Sequence, residues 1–374
     1  MVKTNELTRI PHTILEEAYK AGIDTSEDNR SGTLFHVDQS TIYSKVNEFF
    51  KGKIELMDTH DALQKYPWID DYWWKLVDKE KDEFTRNVSK NFSGGYFMRI
   101  LPNVEVTVPL QSCLMITERD LEQRVHNIII AEEGSKAHII TSCVQHPVAD
   151  QASHFGVTEI YVKKGAMLNF TMIHNWGEKT LVRPRSAALI EDQGTFVSNY
   201  ICLKPVRDVQ MYPVANCNGD DSKVSFNSIL YGHKDSVLDI GSKVVLNGIG
   251  SKAEMITRAI AREGATMIVK GMIDGNNSNC KGHLECRGLI LDDESLIHSV
   301  PELIARKKGT EITHEATVGK ISEKEIVYLM TRNLSRDEAV SMIVRGFMDV
   351  GIMGLPKALK EEVNHIVDLA SEGS

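Results

Sequence analysis

The sequence predicts a mainly β protein, a parallel β-helix with helical regions before and after it. Three observations predict this fold. A turn element recurs along residues 95–318, β-branched residues fill the segments between the turns, and the apolar residues after position 319 follow a helical period. The predicted division is an N-terminal helical and loop region over 1–94, the β-helix over 95–318 and a C-terminal helical domain over 319–374.

The recurring turn element is a turn-forming residue followed by a small residue and then by apolar positions. Most copies recur after about 15 residues or after roughly twice that interval. A solenoid requires such regular lengths because each coil stacks on the one before it, and glycine allows the positive φ that a corner needs. The eight copies begin at Gly134, Gly165, Gly194, Asp235, Gly250, Gly264, Glu294 and Gly309.

The segments between the turns favour parallel stacking over an antiparallel sandwich. They carry β-branched residues, as at 128–130 and 244–245, which suit stacked sheets. An antiparallel sandwich needs frequent two-residue hairpin turns. The strongest hairpin pair, Asn-Gly, occurs in this region only at 218–219 and 247–248.

The N-terminal region combines a predicted helix with an aromatic cluster. The apolar residues at 42, 46, 49 and 50 have a helical period and predict a helix over 41–50. The cluster is interpreted as a small core or docking face, since aromatic residues at this spacing usually pack. Its members are Trp68, Ile69, Tyr72, Trp73 and Trp74.

The C-terminal region begins with two capping-box spacings, Ser322 with Glu325 and Ser335 with Glu338. A further helix is predicted from Pro356. These helices either cap an open end of the solenoid, where a strand edge is unpaired, or form a docking surface for a partner.

Composition and charge exclude several functions. The net charge is −9 and no Lys/Arg run forms a basic stripe, which argues against nucleic acid as a partner. No apolar segment is long enough for a signal peptide or a membrane span, so we predict a cytoplasmic protein with no membrane partner. No Gly-x-x-x-x-Gly-Lys-Ser/Thr loop is present, so any ATP that drives its function must bind to another chain.

The most suggestive candidate site is Cys286 with His314 and Glu315. The chain has six cysteines and no Cys-x-x-Cys pair, which disfavours a disulfide framework and a four-cysteine cluster within one chain. His314 and Glu315 follow Cys286 after nearly two turn spacings, which is compatible with neighbouring coils. Thiolate, imidazole and carboxylate groups are iron ligands. The spacing alone does not distinguish ligands from packed or exposed residues.

Cys143 is a second candidate. It lies at a predicted strand end, shortly before His146, where a thiol is either a sulfur-carrying nucleophile or a buried small hydrophobic residue. The local sequence alone favours the buried residue.

The sequence resembles the SufB/SufD family of iron–sulfur cluster assembly scaffold proteins over about residues 95–370. Several separate motifs in one order carry the resemblance. They are Val108-Pro109-Leu110-Gln111, His174-Asn175-Trp176, Thr313-His314-Glu315-Ala316-Thr317 with Gly319-Lys320-Ile321, and the run over 334–347.

The resemblance implies a right-handed parallel β-helix between helical domains, and a scaffold protein rather than an enzyme. Family members pair as SufB with SufD or as a SufB-like homodimer, and their C-terminal helices bind the ABC-type ATPase SufC. The resemblance therefore implies a transient iron–sulfur cluster, a SufC-type ATPase and a sulfur donor as partners. The mixture of SufB-like and SufD-like features favours an ancestral, archaeal-type homodimer over a heterodimer.

The resemblance also implies roles for the candidate residues. Cys286 matches an interface cysteine implicated in building the cluster, and His314 and Glu315 match the His-Glu pair of the SufB motif. Cys143, which lies upstream of Trp176, resembles the cysteine that receives sulfur from a donor. Two copies of the chain would then bring Cys286, His314 and Glu315 to a shared site.

Two other functions stay open. A SufD-like structural partner would support the ATPase without a cluster of its own, and the presence of both Cys286 and Glu315 weighs against it. A carbohydrate-active β-helix enzyme would need clustered carboxylates in a groove, and no obvious cluster occurs in the β region.

Overall fold

Two long sheets form the body of the molecule in the computed structural model, which describes residues 3–4, 6–26 and 29–348. The predicted parallel β-helix with helices at both ends is confirmed. The helix predicted from Pro356 and the end of the 319–374 region lie outside the described residues.

The elements are numbered in chain order. The strands are β1 (Gly32–Val37), β2 (Ser40–Val46), β3 (Ile54–Asp58), β4 (Tyr96–Ile100), β5 (Leu110–Ile116), β6 (Leu121–Ala131), β7 (Lys136–Gln145), β8 (Gln151–Val162), β9 (Met167–Asn175), β10 (Lys179–Val182), β11 (Arg185–Ile190), β12 (Thr195–Cys202), β13 (Asp208–Met211), β14 (Val214–Cys217), β15 (Lys223–Gly232), β16 (Val237–Leu246), β17 (Lys252–Ala261), β18 (Thr266–Gly275), β19 (Lys281–Ile290), β20 (Leu296–Ala305) and β21 (Glu311–Lys320). The α-helices are α1 (His12–Lys20), α2 (Thr59–Lys65), α3 (Glu83–Asn91), α4 (Glu323–Met330) and α5 (Arg336–Met348). Short 3-10 helices occupy Leu7–Arg9, Glu48–Phe50, Pro67–Asp71 and Pro147–Ala149.

From β5 onward the chain alternates between the two sheets, so that each coil contributes to both. Sheet A has the order β2-β1-β5-β7-β9-β12-β15-β17-β19-β21, and sheet B runs from β3 and β4 through β6, β8, β11, β14, β16 and β18 to β20, with β10 and β13 beside it. Neighbouring strands are parallel except for β1 with β2 and β3 with β4. Cys286 lies opposite Ala316 in the register of β19 and β21, so two of the shorter turn spacings make one complete coil.

The predicted corner conformation is present at most of the turn elements. At the Gly194 corner the left-handed residue is instead the preceding Gln193, with φ 57°. The predicted glycines with positive φ, between 65° and 79°, are Gly134, Gly165, Gly250, Gly264 and Gly309.

The helix predicted over 41–50 is wrong, and the N-terminal region is not helical and loop throughout. Residues Ser40–Val46 form β2, which pairs antiparallel with β1 at the first edge of sheet A. β-Branched side chains at 41, 42 and 46 suit a strand, and the edge of a sheet offers backbone partners that a local period does not reveal. The aromatic cluster does form a packing face, because Trp68 and Tyr72 lie against Phe97 and Tyr161 on the outer face of sheet B.

Helices α4 and α5 pack on the outer face of sheet A and not over the last coil. Ser335 and Glu338 form the predicted capping box, with backbone-to-side-chain distances of 2.7 and 3.2 Å, whereas Ser322 makes no side-chain cap. Most side chains of β21 are consequently exposed. The apolar contact between helices and sheet joins Ile326, Ala339, Val340 and Val344 to Ile201, Ile229, Ile260 and Leu289.

Candidate functional site

Two columns of side chains run along the inside of sheet A and contain both candidate cysteines. Side chains alternate between the faces of a strand, and the parallel strands are in register, so each inner position continues from coil to coil. The first column, named the Cys143 ladder, consists of His36, Leu114, Cys143, His174, Cys202, Leu230, Ala259, Gly288 and Val318. The Cys286 ladder is Thr141, Met172, Tyr200, Ser228, Thr257, Cys286 and Ala316.

Cys286 lies near the open end of the solenoid but is itself buried, with 2% of its surface exposed. It lines a small crevice between the sheets together with Thr257 and Ser299. Burial raises the pKa of the Cys286 thiol, while a hydrogen bond from Ser299 and the positive charge of Arg258 act in the opposite direction. Ser299 therefore favours the thiolate, the form of cysteine that binds iron.

His314 shares the inner face with Cys286. It lies opposite Leu284 in the register of β19 and β21, and Ala316, which lies opposite Cys286, is the next residue on the same face of β21. The strand spacing and the rise along a strand place the two α-carbons about 8 Å apart. His314 is exposed, because no described strand covers the far side of β21.

Glu315 lies on the opposite face of β21. Adjacent residues of a strand point to opposite sides, so Glu315 stands in register with Glu285 on the outer face of sheet A. There Arg287 approaches Glu315 to 3.7 Å, and Arg287 and Arg258 each reach Glu285 at 2.7 Å. The structure thus places Cys286 and His314 together and directs Glu315 away from them.

The described part of one chain does not assemble a complete metal site. Within residues 3–4, 6–26 and 29–348, no three His, Cys, Asp or Glu side chains are grouped so that they could hold a metal ion. Cys286 and His314 are two of the ligands that a cluster needs, and their open coil leaves room for ligands from outside the chain. The ligand roles of all three residues stay predictions.

Cys143 lies deep inside the solenoid, with 1% of its surface exposed. Burial raises the pKa of its thiol to about 12, so the thiol is protonated in this conformation. The burial agrees with the interpretation from local sequence. The role as sulfur acceptor stays a prediction and requires access that this conformation does not provide.

Two polar side chains near Cys143, His174 and Tyr200, were not among the predicted site residues. His174 follows it on the next strand, and its Nδ1 lies 2.9 Å from the hydroxyl of Tyr200. Burial holds the pKa of His174 well below its usual value, so the ring is neutral. Its Nε2 is buried and has no hydrogen-bond partner within the described ranges. The intervals from Cys143 to His174 and from His174 to Cys202, each close to one coil in length, were the available signal.

The interior between the two cysteines is partly open. Ser228 and Thr257 point inward on successive strands yet keep some exposed surface, unlike the apolar inner residues beside them. A second cavity near the middle is lined by Phe170, Ser198 and Tyr200 among others. From β7 to β19 there are five strand steps along sheet A, so Cys143 and Cys286 are about 24 Å apart.

The fold and these residues define a class of protein: a two-sheet parallel β-solenoid with buried thiols along its interior and a last coil that no other described strand covers. No helix in the described ranges is long and apolar enough to cross a membrane. Comparison with known proteins identifies the family within this class. Residues 114–347 match the family model described as the SufBD core domain of the SUF system for FeS cluster assembly.

Curated relatives agree with the family model over nearly the whole chain. The chain is 45% identical over 368 residues to a protein of Methanothermobacter thermautotrophicus (strain Winter), covering 97% of this chain and 89% of the relative. It is 46% identical over 355 residues to one of Archaeoglobus fulgidus, covering 95% and 94%, and 28% identical over 377 residues to one of Pyrococcus horikoshii, covering 99% and 84%. All three are named iron-sulfur cluster assembly SufBD family proteins. The chain belongs to the SufBD family of iron–sulfur cluster assembly proteins.

Proposed function

We propose that the chain is a scaffold, not an enzyme, on which an iron–sulfur cluster is built at an interface between two subunits. The observation that carries the proposal is the open last coil, where Cys286 and His314 lie on one inner face. Sulfur and iron are the substrates of this assembly. ATP hydrolysis belongs to a SufC-type partner, because the sequence contains no phosphate-binding loop.

The proposed subunit interface is the last coil of a second copy. Among the described strands, β20 and β21 have no neighbour on their far side, and unpaired strand edges favour association. A twofold axis at this edge doubles the ligands that one chain supplies. Glu315, which faces outward in its own chain, then adds a carboxylate next to the shared seam.

The proposed docking surface for the ATPase is the exposed side of α4 and α5. Their inner sides pack on sheet A, while Val327, Tyr328 and Met342 are each more than half exposed, at 54%, 58% and 52%. Exposed apolar residues of this kind mark interaction sites. The ATPase would open and close the subunit interface by favouring one of two conformations.

The proposed entry point of sulfur is Cys143. Its burial means that the sulfur donor reaches it only after a local opening, or through a small persulfide that enters the interior. From Cys143 the sulfur moves inside the solenoid toward Cys286, along the partly open interior of sheet A.

The scaffold role is tested by replacing Cys286. After anaerobic reconstitution with iron and sulfide, Cys286→Ala is expected to retain much less iron and sulfide than the wild-type protein. The matched control is Cys217→Ala, which removes another buried inner cysteine, located on sheet B. Equal iron and sulfide contents in Cys286→Ala, Cys217→Ala and the wild-type protein would show that the cluster is not built at Cys286.

A SufD-like supporting role is the second candidate. The outward position of Glu315 and its approach to Arg287 favour it, because they withdraw the carboxylate from Cys286. Mixing the chain with a SufC-type ATPase and measuring cluster transfer to an apo-acceptor separates the two roles. A scaffold transfers a cluster, whereas a supporting subunit transfers none.

A further inference from the structure

Two cysteines bracket one histidine on three consecutive strands of sheet A. In the inner register Cys143 lies opposite His174, and His174 lies opposite Cys202. Cys202 is as buried as Cys143, with 1% of its surface exposed. The third strand, β12, is two coils nearer to Cys286 than the strand of Cys143.

We propose that Cys202 is a second sulfur acceptor, which takes the sulfane sulfur from a Cys143 persulfide and carries it two coils toward Cys286. This inference rests on the proposed function and assigns a relay residue within it. The two α-carbons are two strand spacings apart, about 9.5 Å. The S–S bond of a persulfide extends the reach of Cys143 by about 2 Å, and rotation about χ1 of both cysteines brings the two sulfurs closer still.

The transfer is a thiol–persulfide exchange without net redox change. The Cys202 sulfur attacks the terminal sulfur of the Cys143 persulfide, forming a new S–S bond. The bond between that sulfur and the Cys143 Sγ breaks, and Cys143 leaves as a thiolate. The proton that Cys202 gives up is the proton that Cys143 must regain, so no oxidant or reductant is needed.

The neighbours of the two thiols provide a path for that proton. The Tyr200 hydroxyl belongs to the same strand as Cys202 and lies 2.9 Å from His174 Nδ1. His174 Nε2 is buried without a partner in the described part of the chain. A proton passes from Cys202 to the Tyr200 oxygen and from Tyr200 to His174 Nδ1, and then from His174 Nε2 to Cys143 after these two side chains move into contact. Such a path matters because burial raises the pKa of Cys202, like that of Cys143, to about 12.

The inference is tested by locating sulfur on the full-length protein. The protein is loaded anaerobically with glutathione persulfide and alkylated at timed intervals, and mass spectrometry then identifies which cysteine carries the additional sulfur. In the wild-type protein sulfur is expected on Cys143 first and on Cys202 later. This measurement needs no substitution, so it does not depend on how well a variant folds.

Three variants sharpen the test. In Cys202→Ala the persulfide is expected to remain on Cys143 and cluster formation to slow by roughly tenfold or more, since a positioned reacting group is lost. Tyr200→Phe keeps the ring but removes the hydroxyl, and should load Cys143 normally while slowing transfer to Cys202. Cys217→Ala, whose buried thiol also has its pKa raised to about 12, should behave like the wild-type protein.

The outcomes distinguish the relay from the function on which it rests. If Cys143 carries sulfur but Cys202 never does, and Cys202→Ala builds clusters at the wild-type rate, the relay is overturned and the scaffold role is unaffected. If wild-type Cys143 acquires no sulfur, the proposed entry of sulfur is overturned and the relay with it.

Discussion

Glu159 should be among the most important single side chains for the stability of this fold. It is fully buried on the outer face of sheet B, where its carboxylate accepts backbone N–H groups of Trp74, Leu76 and Val77 at 2.7, 2.5 and 3.1 Å. It also lies 2.8 Å from His126 Nε2. One carboxylate thus fastens the aromatic segment after Pro67 to the solenoid.

The expected cost of Glu159→Ala follows from these four contacts. A hydrogen bond to a charged group contributes about 1.5–3 kcal/mol, but neighbouring bonds are not additive. Removing the shared acceptor leaves its donors buried without a partner, at about 1–3 kcal/mol for each donor. We therefore expect the free energy of unfolding to fall by about 3–5 kcal/mol, at or above the upper end of the range of about 0.5–3 kcal/mol that is usual for single substitutions.

Urea unfolding followed by tryptophan fluorescence measures this loss. Trp73 stacks on His126 with ring centroids 3.8 Å apart, so the signal reports directly on the fastened segment. Glu254→Ala, which removes an exposed glutamate from sheet A, is the matched control and should change stability by less than about 0.5 kcal/mol. A loss for Glu159→Ala no larger than that of the control would refute the reasoning.

Three further predictions concern pH, thiol reactivity and assembly. Burial lowers the pKa of His154 from 6.5 to about 3, so below pH 6.5 the unfolded chain binds a proton at this residue that the folded chain does not. The free energy of unfolding therefore falls by about 1.4 kcal/mol per pH unit as pH falls from 6.5 toward 3. His154→Gln should reduce the slope of the unfolding free energy measured between pH 7 and 5. Equal slopes would contradict this. Cys143, with its pKa near 12, should react with iodoacetamide at pH 8 roughly a thousandfold more slowly than glutathione, and rapid labelling in a mass-spectrometric time course would show that the thiol is accessible. Val318→Lys, on the last coil, should convert a dimer to a monomer in light scattering. The control Val237→Lys lies on β16, where the valine is 36% exposed against 38% for Val318, and should leave the dimer intact. A dimer that persists in both variants would show that the last coil is not the interface.

Much of the fold could be predicted because its signals are local. Corner glycines such as Gly134 and Gly250 recur at regular spacings, and positive φ at those positions is a property of the residue itself. The prediction of a helix over 41–50 failed because pairing with β1 stabilises β2 as a strand. The spacing of a few apolar residues carries no information about that contact.

The candidate site was predictable in part. The spacing of Cys286 and His314 correctly indicated neighbouring strands, since one coil has a nearly constant length. Strand alternation, applied to the adjacent residues His314 and Glu315, is enough to place them on opposite faces. The intervals from Cys143 to His174 and to Cys202 are close to coil lengths, but only the register establishes that Cys202 and Tyr200 face inward beside His174, because the coils vary in length.

The sequence alone determined the solenoid and the family, because coil length, strand composition and the ordered motifs are properties of consecutive residues. Only the tertiary structure decided which inner ladder each cysteine occupies, that Cys143 is buried, and that α4 and α5 pack on sheet A and leave the last coil open. Those features depend on which residues distant in the chain meet across a strand or a helix face. Side-chain burial and register are set by such contacts and not by local propensity.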